Sequence, residues 1–514
     1  MIIFCRGQEK LTGIAKEKIC IRKTLNMSYK ILINAADPEE CRIAKITETN
    51  KLEEFQTETT AREITRGNIY KGIITRVEPS LQAVFVDYGG ARNGFLQRHE
   101  IHSDYFQDNP TGKKGIENML SENQELLVQI TKDPIMKKGA MLTTYISLPG
   151  RHLVLMPGSK NRGISRKIED ESERSRIKSL MHALKIPEDF GVIVRTAGDK
   201  CTKTIVAKDL KNLMRIWKTI KKNAMAPNAP LLLYKEPNAA IRSIRDYFSD
   251  DVTEILVDNE TVYQEVKEFI NVISPRHKKI VKYYTAPEPI FSKYEVEEQI
   301  ESVFQGRVSL ASGGSLVIDQ TEALVAIDVN SGKSTKEGSV ESTAYKTNLE
   351  AAEIIALQLK LRDLGGLIVI DFIDMKETKH KLEVERVMKN ALKNDRARTK
   401  VGKISRFGLL EMSRQRINST IEYGSHIKCS HCKGKGMVPS PESDALNLLR
   451  KVRHAASKKN AKKIKGVFPM NVADYLLNRK RKEIVDLEMR LDLEIEIAGA
   501  PELIPGESRI TKVE

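Results

Sequence analysis

Residues 315–332 read SLVIDQTEALVAIDVNSG, two apolar runs separated by the polar stretch 319–322. Aliphatic and β-branched residues on either side of a polar turn predict a β-hairpin. Downstream, Leu349, Ala352, Ala356 and Leu359 recur at helical spacing, Gly365 and Gly366 terminate the helix, and LIVIDFIDM (367–375) opens a further buried strand. KETKHKLEVERVMKNALKND (376–395) then predicts a second amphipathic helix. Strands alternating with helices place this part of the chain in the α/β class.

The same stretch carries the strongest chemistry. Asp328 follows ALVAI and Asp371 follows LIVI, so two strands of one sheet each deliver a carboxylate at the polar end. Mg²⁺ prefers such hard oxygens, and it is typically held by one or two carboxylates plus substrate phosphate. There it polarises a phosphoryl oxygen and activates water, which is the chemistry of phosphodiester hydrolysis. Asn330 shares a strand face with Asp328 and is placed to bond the ligand or orient a water. Asp374 competes with Asp371 as the second ligand. The bland alternative is that each aspartate caps a turn or pairs with lysine.

Working outward, NIYKGIITRVEPSLQAVFVDYGGARNGFLQRHEI (68–101) alternates β-branched and aromatic residues between turns, and LLVQITKD (126–133) adds a strand. This predicts a small antiparallel barrel closing near residue 150. Tyr70, Phe85, Tyr88 and Phe95 lie among Lys71, Arg76, Arg92 and Arg98, a mixture suited to stacking bases and holding the phosphates of single-stranded RNA. The competing reading puts Phe85 and Phe95 in the core.

Next, RHLVLMPGSKNRGISRKIED (151–170) predicts a strand and a basic loop; helices follow at 172–184, 208–222 and 263–273, with strands at 191–198 and 254–259. Arg166 and Lys167, with Arg195 and Thr196, could bring guanidinium and hydroxyl donors to one phosphate, unless they belong to two unrelated surface loops. Cys429 and Cys432 form a CxxC at the start of CSHCKGKG (429–436). A structural zinc site needs four ligands, so the options are an ion shared by two chains, an intrachain site completed by His431 or His426, an idle reduced pair, or a redox motif. A redox role lacks a recognisable thioredoxin-like βαβ setting in the surrounding sequence.

The chain has 514 residues, enough for roughly three to four domains. Hydrophobic residues make up 40% and charged residues 30%, which supports buried cores and excludes wholesale disorder. A net charge of +16 favours polyanion partners, nucleic acid foremost. No apolar run reaches the roughly 18 residues of a membrane span, and residues 1–26 lack the apolar core of a secretory signal. A cytoplasmic protein with reduced thiols is expected, the six cysteines being scattered except for the CxxC. Residues 1–26 read as a basic extension, and Met27, just before the strand-like YKILINAA, is a candidate start.

NIYKGIITRVEPSLQAVFVDYG, GISRKIE, IVRTAG, TEALVAIDVNSG, TNLEAAEIIALQLKLRDLGGLIVIDFIDM, ISRFGLLEMSRQR and CxxCxGxG occur in that order, and together they resemble the ribonuclease E/G family from about Met27 to the end. Both a ribonuclease G-like protein and the catalytic half of a ribonuclease E are compatible. The resemblance implies a Mg²⁺-dependent endoribonuclease cutting single-stranded, A/U-rich RNA, leaving 5′-phosphate ends and stimulated by a 5′-monophosphate. It would act in RNA processing, including that of rRNA, and in mRNA decay. By resemblance, Asp328 and Asp371 bind Mg²⁺ and Asn330 is their active-site neighbour. Arg195 and Thr196 form the 5′ sensor, which Gly150, Val154 and Arg166 line; Phe85, Phe95 and Lys138 contact RNA. Cys429 and Cys432 match a zinc-link in which two subunits share one Zn²⁺, in a homodimer or homotetramer.

The domains implied are an RNase H-like subdomain split between 27–64 and 241–303, an S1 (OB-fold) barrel at 65–145 and the 5′ sensor at 146–240. A DNase I-like catalytic subdomain at 304–425, the zinc-link at 426–440 and a small dimerising domain at 441–514 follow. The chain departs from the pattern at Ser430-His431, where proline is common after the first cysteine, and a long scaffold arm is not expected.

Overall fold

The computed structural model describes residues 28–513 apart from 60–64, 107–114, 135–137, 169, 199–200, 333–339, 394, 418–419, 422–425 and 457–461. The extension 1–26 lies outside the described residues. Two compact units are present, Met1–Glu422 and Tyr423–Glu514.

Tyr29–Asn34 (β1), Glu40–Thr47 (β2) and Leu52–Thr59 (β3) form an antiparallel meander. The chain then builds a barrel from Ile69–Glu78 (β4), Ala83–Asp87 (β5), Gly94–Gln97 (β6), Glu125–Lys132 (β7) and Met141–Thr143 (β8). Pairing runs β4-β5-β6-β8-β7 and returns from β7 to β4, closing the ring. Alternation sends Ile74, Val84, Val86, Leu96, Val128, Ile130 and Leu142 inward.

Leu148–Pro149 (β9), Leu153–Pro157 (β10), Arg162–Ile164 (β11) and, after the helix Glu171–Ala183 (α1), Phe190–Val194 (β12) make a four-stranded sheet in the order β11-β12-β10-β9. The expected strand at 191–198 stops at Val194, and Thr196–Gly198 turns into a single 3₁₀ turn. Lys203–Ala224 (α2) buries Val206, Leu210, Leu213 and Ile220, one stripe at helical spacing, in this subdomain's core. Leu231–Tyr234 (β13) joins β4 of the barrel.

Ala239–Tyr247 (α3), Val252–Val257 (β14), Glu260–Ile273 (α4) and Val281–Tyr283 (β15) then complete the first sheet, in the order β15-β14-β1-β2-β3. One sheet therefore draws strands from both sides of a long insertion. Ile31 and Ile33 face α3 and α4, whereas Leu32 faces the short helices Ile290–Lys293 (α5) and Glu297–Val303 (α6).

The following sheet combines Arg307–Ser309 (β16), Ser315–Gln320 (β17), Leu324–Asn330 (β18), Gly366–Asp371 (β19), Thr399–Ile404 (β20) and Leu409–Arg414 (β21) in the order β16-β17-β18-β19-β21-β20. The helices Val340–Leu361 (α7) and Thr378–Ala391 (α8) supply its core with Ala351, Ile355, Leu359, Val384 and Met388. The hairpin turn is shorter than the polar stretch 319–322 suggests, because Asp319 and Gln320 still pair with Ala326 and Val325. Thr321 closes the turn instead, its Oγ1 accepting from Leu324 N–H at 3.1 Å.

In the second unit, Pro441–Ala456 (α9) precedes Lys463–Pro469 (β22), Met470–Arg479 (α10), Arg481–Leu491 (α11), Glu494–Ala500 (β23) and Arg509–Val513 (β24). β22 and β23 are parallel with two helices between them, and β24 runs antiparallel to β22. A βαβ unit thus exists where the sequence showed none, since the lysine-rich flanks of KIKGVFP mask its alternation. The CxxC lies outside it, in turns ahead of α9. Among the described residues no helix is long and apolar enough to cross a membrane.

Candidate active site

β18 and β19 are parallel neighbours in a register that sets Asp328 beside Asp371. Alternation buries Val325, Ile327, Val329, Ile368 and Ile370 and leaves both aspartates exposed. Neighbouring strands lie about 4.8 Å apart, so the carboxylates are close enough to share one cation. Asn330 Nδ2 donates to Asp328 Oδ2 at 2.9 Å, orienting that carboxylate.

Asp374 belongs to the same group. A Cβ placed on Gly408 would stand 3.2 Å from Asp374 Oδ1 and 4.0 Å from Asp371 Oδ1, so the turn 405–408 lies against both. Although Asp371 is exposed as a residue, partial desolvation of its carboxyl, then the charges of Asp328 and Asp374, push it above its ordinary value. Among the described residues no donor or cation bonds the Asp371 or Asp374 carboxylate, so the turn-capping and lysine-pairing alternatives have no contact behind them there. Repelling carboxylates without a counter-charge fit a cation. Among the described residues no group of three or more His, Cys, Asp or Glu side chains is placed to hold a metal ion by itself.

The helix α7 holds the loop that carries these groups. Asn348, fully buried, donates through Nδ2 to Ile373 O at 2.8 Å and accepts from Ile373 N–H at 3.1 Å. One amide thereby grips both backbone groups of a residue between Asp371 and Asp374. Glu341 accepts from the N–H groups of Lys376 and Glu377 at 3.0 and 3.2 Å and bonds His380 Nδ1 at 2.8 Å. The Lys376 N–H bond, with the His380 contact, holds its carboxyl down to about 2. Sequence reasoning missed Asn348 and Glu341; the only signal was a polar residue at a core-facing helical position, Asn348 falling four before Ala352.

On the barrel, Phe85 and Phe95 are cross-strand partners with ring centroids 5.7 Å apart. Their neighbours Val84, Val86 and Leu96 fill the interior, so the two half-buried rings lie on the outer face, not in the core. Tyr88 is buried in the core. Lys71 is buried as well, paired with Glu125 at 2.8 Å and donating to Ala226 O, which removes it from the expected phosphate contacts. Lys138 and Arg92 are exposed.

The parallel pairing of β11 with β12 brings 165–167 and 195–196 to adjacent strand ends, Ser165 N–H donating to Val194 O at 2.8 Å. Arg195 is anchored by Gly150 O and Asp246 Oδ1, both at 2.7 Å. Arg396 binds the other Asp246 oxygen at 2.7 Å. Burial opposes the Asp246 charge, yet Arg396, Arg245 and Arg195 together hold its carboxyl far below the usual range. Lys167 instead donates to Asp395 O, and burial lowers its ammonium to about 8. Arg166 is exposed, Val154 is half-buried, and Thr196 opens the 3₁₀ turn after Arg195. Asp246 is the component that the sequence did not flag, lying in α3, far along the chain from Arg195.

In the second unit, N–H groups of Lys433 and Lys435 close tight turns onto the carbonyls of Cys429 and Cys432 at 2.8 and 2.9 Å. N–H groups of Gly436 and Gly434 point at the Cys432 sulfur and lower its pKa, favouring the thiolate. The donor set fits half of a tetrahedral zinc site.

Residues 147–417 match the family model described as "Ribonuclease E/G family". This chain belongs to the ribonuclease E/G family. Residues 63–133 match the S1 RNA binding domain, in agreement with the closed barrel, and residues 428–513 match "RNase E/G, Thioredoxin-like domain", in agreement with the βαβ unit. The chain is 46% identical to ribonuclease E of Haemophilus influenzae over 472 residues, which is 91% of this chain and 50% of that protein. Identity to ribonuclease E of Escherichia coli is 46% over 90% of this chain and 44% of that protein. Ribonuclease G of Escherichia coli is 34% identical over 92% of this chain and 98% of its own length. The chain thus spans about half the length of the ribonuclease E relatives that it matches.

Proposed function

We propose that this chain is an endoribonuclease of RNA processing and mRNA decay that cuts single-stranded, A/U-rich RNA at a Mg²⁺ site on Asp328 and Asp371. The observation that carries this reading is the side-by-side placement of the two carboxylates on adjacent parallel strands, with Asp374 nearby and no counter-charge on Asp371 or Asp374 among the described residues. Family membership and the S1 barrel support it. When bound, Mg²⁺ supplies Lewis acidity at the scissile phosphate and makes water a stronger nucleophile at neutral pH.

The chain's own groups do the rest. Asn330 fixes the rotamer of Asp328, Asn348 and Glu341 hold the 371–377 loop, and Phe85 and Phe95 offer stacking surfaces to unpaired bases, with Lys138 beside the barrel for phosphate. Arg195, steered by Asp246 and Gly150 O, together with Thr196 and Arg166, forms the pocket for a 5′-monophosphate, through which that group stimulates cleavage in this proposal. Cys429 and Cys432 supply half the ligands of a Zn²⁺ shared with a second copy, giving a homodimer or homotetramer in the cytoplasm.

The test is incubation of 5′-monophosphorylated, A/U-rich single-stranded RNA with the protein, in Mg²⁺ or EDTA, beside Asp328→Asn and Asp371→Asn. Internal cuts with 5′-phosphate ends that need Mg²⁺ and both aspartates are expected. RNA binding without cutting by correctly assembled protein would point to a non-catalytic S1-type binder, and equal cutting of single-stranded DNA to a general nuclease.

A further inference from the structure

The block ISRFGLLEMSRQR has no role in the scheme so far, and its turn lies beside the carboxylates. Phe407 is 69% exposed on that turn, between β20 and β21. Single exposed apolar residues are ordinary on protein surfaces, so exposure alone says little. Position says more: the next residue, Gly408, is buried at φ +81° against Asp371 and Asp374. A side chain there would be strained and would crowd the Asp374 carboxylate. The turn is also well held. Ser405 N–H donates to Leu409 O at 2.8 Å, Gly408 N–H to Ser405 O at 3.2 Å, and Phe407 N–H to Ser405 Oγ at 3.2 Å. Arg406 stands over the ring, its guanidinium carbon 4.7 Å from the centroid, and the edge strand leading in carries exposed Lys400 and Lys403.

We infer that Phe407 and Arg406 form a nucleobase-stacking subsite for the nucleotide next to the scissile phosphate. An aromatic ring stacks on any unpaired base, and an adjacent guanidinium both stacks and contacts phosphate. A ring carried by a turn that packs against the carboxylates through Gly408 helps to set which phosphodiester lies over them. This inference rests on the nuclease reading above.

The experiment uses full-length protein and a single-stranded RNA with one cleavage site, carrying an ordinary or an abasic nucleotide on either side of it. Phe407→Ala should lower kcat/KM about tenfold on the ordinary RNA, since stacking on one ring is worth roughly that factor. Phe407→Trp should retain activity within about twofold. One abasic RNA should be cut by wild type as poorly as Phe407→Ala cuts the ordinary one, and combining the two changes should add nothing, a coupling that general damage to the fold would not produce. If wild type cuts and Phe407→Ala cuts the ordinary RNA equally well, or if the two losses simply multiply, the stacking subsite is overturned while the nuclease reading stands. If wild type cuts no RNA, both fall.

Discussion

Replacing Asn348 by alanine isolates the contribution of the loop clamp. The side chain is fully buried and makes two hydrogen bonds, at 2.8 and 3.1 Å, to the backbone of Ile373. Each is worth about 1 kcal/mol net, and an orphaned backbone group in a partly dry setting adds roughly another 1 kcal/mol, so the loss should be about 2–4 kcal/mol. A general loss of stability does not by itself implicate the active site. The control is Ile355→Ala in the same helix, also fully buried, which should cost a similar ~2–5 kcal/mol through a cavity. Urea unfolding would match the two variants in stability, and initial cleavage rates across a Mg²⁺ titration would then separate them. Asn348→Ala should need several-fold more Mg²⁺ for half-maximal rate, because Asp371 and Asp374 are no longer held at one spacing, whereas Ile355→Ala should keep the wild-type midpoint. An unchanged Mg²⁺ midpoint in Asn348→Ala, or an equal rise in Ile355→Ala, would refute the positioning argument.

Other outcomes follow from the same geometry. Because the Asp371 carboxyl is raised in the folded state, metal-free protein should lose stability as pH climbs from the ordinary carboxylate value through the raised one, and the penalty is complete above it. Melting temperatures in EDTA across that range should show this fall, Mg²⁺ should offset it, and Asp371→Asn should diminish both effects. Arg195→Ala should erase the advantage of 5′-monophosphate over 5′-hydroxyl RNA, a factor of about 10–100 for charged hydrogen bonds, and Arg195→Lys should not restore it because the fork that spans Gly150 O and Asp246 is lost. Equal rates of wild type on both RNAs would remove the sensor role. Elemental analysis should find one Zn²⁺ per two chains and none in Cys429→Ser; one per chain would assign the site to a single chain with His431.

The strand ends bearing Asp328 and Asp371 were legible because a run of Val, Ile, Leu and Ala that stops at an aspartate is a local signal, and the helices α7 and α8 showed themselves by periodicity. The face on which Phe85 and Phe95 lie was not decided locally, since an aromatic in a strand reads alike whichever side it faces; closure of the barrel with Val84, Val86 and Leu96 inside put both rings outside the core. Lys71 looked like a phosphate ligand and proved to be a buried ion-pair partner, because Glu125 comes from β7, distant in sequence but paired with β4 where the ring closes. Asp246, Asn348 and Glu341 left almost no trace, as each acts on a residue distant in sequence.

By itself the sequence determined what local chemistry can: the α/β alternation, the barrel, the basic charge, the two strand-end carboxylates, the CxxC and the resemblance to one family. Only the tertiary structure decided that Asp328 and Asp371 share a register, that Asp374 and the Phe407 turn join them, and that Arg195 is held by Asp246 from the helix α3. The physical reason is that propensity and periodicity act over a few residues, whereas register, ion pairing and the convergence of like charges depend on which distant segments the closed sheets bring together.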